Sequence, residues 1–120
     1  MREPIRDLGR LEHILEQIEN AQEFVAGKSL TDLQGDKVLQ YAIIKSIEII
    51  GEASYMLSLE FKEQHSDVAW NQIIKMRHVL VHGYYHISLP VVWSIVHDDL
   101  PQLRPYIVQY IEELREVQPL

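Results

Sequence analysis

The 120-residue chain has no cysteine, which excludes disulfides, thiolate nucleophiles and Cys-based zinc sites. Its fold must rest on packing alone, and a reducing cytoplasm is its natural compartment. No apolar run approaches the roughly 20 residues of a membrane helix. The N-terminal Met1-Arg2-Glu3-Pro4-Ile5-Arg6-Asp7 also lacks the apolar core of a signal peptide, so a soluble cytosolic protein is expected. Positive charge is scarce: 11 Lys and Arg face 18 Asp and Glu, a formal net charge of −7. That balance argues against broad, sequence-independent adhesion to nucleic acid, which depends on Lys and Arg neutralising phosphates. Repeats, low-complexity tracts and linkers are missing too, and the length fits one domain over residues 1–120.

What is present is helical periodicity, with no convincing strict alternation, and an all-α fold follows. The spacing predicts a first helix from near Pro4 to about Gly27, with Ile5, Leu8, Leu11, Ile14, Leu15, Ile18 and Val25 on its buried stripe. Lys28 to Gly35 reads as a connection. A long second helix is expected from about Asp36 to Glu63, apolar on more than one side and therefore central, with Gly51 admitting a close crossing. The third helix should start after the cap candidates Ser66-Asp67 and stop at Gly83. Ser88 caps a fourth with Pro90 in its first turn, and Leu100 to Val117 forms the last, where Pro101 and Pro105 mark its start or a kink. The expected architecture is an antiparallel bundle of four to five helices.

Acidic residues crowd the two ends, Glu12, Glu16, Glu19 and Glu23 at one and Glu112, Glu113 and Glu116 at the other. Asn71 to Tyr85 carries Lys75, Arg77, His78 and His82 and no acid, the one plausible polyanion footprint. Within it, Arg77 offers a planar donor fork for phosphate, and His82, with His78 as a second candidate, can exchange protons near neutral pH. Metal-free RNA cleavage needs those types: a base for the 2′-hydroxyl, an acid for the leaving oxygen and a cation for the phosphorane. On a straight helix Arg77 and His82 lie about 140° apart, whereas Arg77 and Tyr84 lie within about 20°. For both to act on one phosphate, Arg77 must reach around, the helix end must distort at Gly83, or a second copy must supply partners, and a cleft shared across a dimer is the simplest of these. Other readings compete: an exposed Arg with a capping His, or a metal site from His78, His82 and His86, which Gly83 opposes by breaking the helix. His13, His65 and His97 read as ordinary surface or helix-end residues. Tyr84 and Tyr85 read as packing anchors or base-stacking platforms. Glu52, one turn after Glu48, either orients Arg77 or His82 or belongs to a solvent-facing stripe.

Three ordered motifs resemble the HepT family of HEPN-domain proteins. Arg77-x4-His82-x-Tyr84 is similar to its Arg-x4-His-x-Tyr signature, and Ile47-Glu48-Ile49-Ile50-Gly51-Glu52-Ala53 to its second-helix motif. Trp70 before the signature, and Val92-Trp93 through Asp99-Leu100-Pro101-Gln102-Leu103 after it, also fit, so the likeness covers roughly residues 5–115. One departure is His78, where the family commonly has Asn. The resemblance implies a homodimeric toxin of a two-gene, type VII-like toxin–antitoxin pair, acting as a metal-independent endoribonuclease on RNA without a cofactor. It also implies silencing by AMPylation of Tyr84 by a minimal nucleotidyltransferase antitoxin. The rival class is a catalytically silent helical module that binds a nucleotide or that partner, which the acidic balance makes a serious alternative.

Overall fold

The computed structural model describes residues 3–82 and 87–117. Their regular elements are all helical: α1 Glu3–Val25, α2 Leu30–Gln34, α3 Lys37–Met56, α4 Leu59–Gln64, α5 Trp70–His82, α6 Leu89–Ser94, a π-helical turn Ile95–Asp99, and α7 Leu100–Val117. No helix among the described residues is long and apolar enough to cross a membrane. The long helices pack side by side in the order α5, α3, α1, α7. As its two-sided apolar pattern predicts, α3 is central, burying Leu39, Ile43, Ile47 and Ile50 between α1 and α5. Leu11, Ile14 and Ile18 of α1 and Ile107 and Ile111 of α7 complete that core. Each such side chain contributes about 1.5–3 kcal/mol on burial.

The expected connection from Lys28 to Gly35 contains a short helix. Ser29 and Asp32 form a reciprocal capping box that nucleates α2, while Gly27, at φ 73°, has already ended α1 in the left-handed region.

The expected long second helix divides. It stops at Met56, Leu57 is extended, and Ser58 caps α4 by accepting from the Phe61 amide. Buried Asp7 of α1 fixes the break, accepting from Ser58 N at 2.8 Å and from Ser58 Oγ at 2.7 Å. With no Gly or Pro at this corner, its determinant lies 51 positions away in sequence.

Helix α5 begins at Trp70, later than the Ser66-Asp67 caps suggest. The Trp70 indole N–H donates to the His65 carbonyl at 2.9 Å, and its ring lies near Phe61 and Tyr110. His65 is a helix-end residue, as expected, and it stacks on Phe61 with ring centroids 3.9 Å apart. Beyond Ser88, α6 runs into α7 through the π turn, where Leu100 N–H reaches the Ile95 carbonyl. Pro101 and Pro105 each lack the N–H that would donate to a carbonyl of the preceding turn.

Candidate active-site cleft

Arg77 lies on the face of α5 turned toward α3, directly over Gly51. A Cβ at position 51 would overlap the Arg77 Cβ, so the missing side chain is what lets the two helices close. The helix-propensity cost of a glycine there, about 1 kcal/mol relative to Ala, is offset by that approach.

Glu52 then reaches Arg77 from α3, with Oε1 2.9 Å from Nη2. The two side chains are 50% and 33% exposed, so solvent screens the pair and its effect on stability is about 1 kcal/mol or less. Its geometric effect is greater. A carboxylate on one edge fixes the plane of the guanidinium and leaves its other donors available to a phosphate. One turn earlier, Glu48 lies 3.8 Å from Lys45.

This pair opens on a cleft of about 540 Å³ between α1, α3 and α5. Arg6, Arg10 and His13 line it from α1, Lys45, Glu48 and Glu52 from α3, and Arg77 from α5. Permanent cations outnumber carboxylates there, although the chain as a whole carries −7. The positive surface is therefore not confined to residues 71–85, and His13, an exposed residue as expected, lies on the rim of the cleft. Sequence reasoning missed Arg6, Arg10 and Lys45 as site residues. The available signal was the four- and three-residue spacing of Arg6, Arg10 and His13, which places them on one helix face. The glutamates that made α1 look acidic point elsewhere: Glu12 pairs with Arg115 and Glu19 with Arg104, each at 2.7 Å, against α7.

Of the other sequence candidates, His78 is exposed on α5. Because α5 is helical through His82, positions 77 and 82 remain about 140° apart around its axis. The His82 side chain, and Gly83, Tyr84, Tyr85 and His86, lie outside the described residues. Among the described residues no three His, Asp or Glu gather into a metal-binding group.

Fold and site together define an all-α bundle that presents an Arg–Glu pair to a cationic cleft. The chain belongs to the HepT-like ribonuclease family, whose model matches residues 14–110. A Methanocaldococcus jannaschii protein named "Gamma-glutamylcyclotransferase and putative RNase" is 39% identical over 87% of this chain, which spans only 47% of that relative. A "Putative RNase" of Caldanaerobacter subterraneus is 38% identical over 86% of this chain and 92% of its own length. The "Probable ribonuclease HepT" of Thermococcus cleftensis is 38% identical over 78% of this chain and 86% of its own. No solved structure matches the chain significantly.

Proposed function

We propose that this protein is a metal-independent endoribonuclease, the toxin of a toxin–antitoxin pair. The observation that carries this reading is Arg77, held by Glu52 over Gly51 at the wall of a cationic cleft, in a chain of the HepT-like family. In the reaction a base takes the proton of the 2′-hydroxyl and the 2′-oxygen attacks phosphorus. The bond to the 5′-oxygen breaks, and an acid returns a proton to that leaving oxygen, producing a cyclic 2′,3′-phosphate. Arg77 neutralises charge on the phosphorane, and His82, with His78 as the second candidate, moves protons.

The angular gap between positions 77 and 82 favours a site completed by a second copy. Support for such a homodimer comes from α5 lying at the edge of the helix row, with Val79 52% and Val91 57% exposed. Val91 also lines an apolar groove of about 410 Å³ with Ile73, Met76 and Leu103. Regulation follows from the same chemistry. AMP transferred to Tyr84 by a nucleotidyltransferase antitoxin adds bulk and a phosphodiester next to the Arg77 site, which blocks and repels RNA.

Unmodified protein is expected to cleave RNA in the presence of a chelator, and His82→Ala and Arg77→Ala each to lose about 10²-fold or more in kcat. A His82→Ala variant that cuts as well as the parent overturns the mechanism. Activity lost to chelation points instead to the histidine metal site, and a protein inactive throughout to the silent binding module. Intact mass after co-expression with the nucleotidyltransferase should show AMP on Tyr84.

A further inference from the structure

We infer that the α1 wall of the cleft is a second phosphate subsite, in which Arg10 and His13 hold the RNA strand beyond the phosphate at Arg77. The inference rests on the ribonuclease reading of the Arg77 site. Its first support is an imbalance of pairing. Glu48 and Glu52 are taken up by Lys45 at 3.8 Å and Arg77 at 2.9 Å. Among the described residues Arg10 Nη1 donates to the Arg6 carbonyl at 3.3 Å, and a carbonyl does not neutralise its charge. Among the described residues neither Arg10 nor His13 has a carboxylate within 4.0 Å.

The contrast with the other side of α1 is direct. Where the helix packs on α7, Glu12 and Glu19 meet arginines at 2.7 Å; where it faces the cleft, Arg10 and His13 have no such carboxylate among the described residues.

Gly9 supplies an independent observation. It sits inside α1 between Arg6 and Arg10, and a Cβ there would meet nothing within 4 Å. Packing therefore does not explain a residue that weakens the helix by about 1 kcal/mol relative to Ala. It does leave the wall open, so that a ligand can lie close against the α1 backbone between the cationic side chains. From Arg6 to His13 the helix rises about 10 Å.

The test is binding of a labelled, uncleavable 2′-O-methyl oligonucleotide, followed by fluorescence anisotropy over a range of salt concentrations. Each phosphate contact on a single strand adds about 0.7 to the slope of log affinity against log salt. Arg10→Gln should flatten the slope by about that amount and weaken binding about tenfold at low salt. Arg115→Gln, which changes net charge equally but lies on the α7 side, should leave the slope unchanged. Gly9→Glu should keep or raise Tm while weakening binding, a combination that a purely structural role for this wall does not produce. In cleavage, Arg10→Gln should raise KM more for a long oligonucleotide than for a dinucleotide with one phosphate.

If Arg10→Gln and Gly9→Glu keep the parental slope and KM while RNA is still cut, the subsite is refuted and the ribonuclease reading stands. If the parent protein neither binds nor cuts RNA, both fall together.

Discussion

In the proposed reaction Arg77 answers to two anions, Glu52 and a phosphate, and its behaviour depends on which one holds it. At rest Glu52 occupies part of its donor fork at 2.9 Å. On the proposed mechanism a phosphate shares that fork during reaction. A carboxylate beside a phosphate site repels the substrate in the ground state, yet it also holds the guanidinium plane where charge develops in the transition state. The two effects separate kinetically. Glu52→Gln should lower KM for RNA several-fold and lower kcat about tenfold, a split that single-turnover and steady-state rates resolve. If kcat and KM both stay at parental values, Glu52 has no positioning role. In the sequence, four-residue spacing left Glu52 undecided between a partner for Arg77 or His82 and a solvated stripe. The choice depended on the α3–α5 crossing, which no local pattern encodes. His13 and Arg10 were obscured differently. Read along the chain they sit among glutamates, and only the helix turn separates the α7-facing acids from the cleft-facing bases.

At the scale of elements, the crossing of α3 and α5 sets the position of Arg77, and Gly51 sets the crossing. Replacing Gly51 by Ala gains about 1 kcal/mol of helix propensity. It also forces a methyl group onto the Arg77 Cβ, and overpacking of this kind costs about 1–3 kcal/mol. Gly51→Ala should therefore lower stability by up to about 2 kcal/mol in urea unfolding and reduce ribonuclease activity more than the lost stability explains, because α5 must move. An Ala variant at least as stable as the parent, with full activity, would show that the crossing is not tight. Helix existence and the central place of α3 were legible because apolar period reports burial directly. The corner at Leu57-Ser58 was not, because Asp7 imposes it from a distant helix. The start of α5 was displaced for a related reason: Trp70 anchors to Phe61 and Tyr110 across elements, and this overrides the local capping signal of Ser66-Asp67.

For the whole molecule, the contact between Tyr110 and the Phe61–His65–Trp70 cluster ties α7 to α4 and to the start of α5, with ring centroids 4.5 to 6.5 Å from Tyr110. Tyr110 is 4% exposed, and its hydroxyl is buried without a hydrogen-bond partner among the described residues. Burial first, then the nearby charges of Asp67 and Glu113, push the phenol above its ordinary value. The sign for stability follows. A group whose folded pKa is raised contributes fully below its unfolded value, about 10 for tyrosine, and loses that contribution as pH rises through the folded value. Folding free energy should fall in the alkaline range, and Tyr110→Phe should remove part of that fall. At neutral pH the same substitution deletes a buried hydroxyl with no partner, so stability should hold or rise by up to about 1 kcal/mol. Urea unfolding of parent and variant across pH isolates the contribution, since other alkaline titrations are common to both. A loss greater than about 1 kcal/mol at neutral pH would mean that the hydroxyl has a partner and that its burial is satisfied. An alkaline profile parallel to the parent's would remove Tyr110 ionisation as a cause of unfolding.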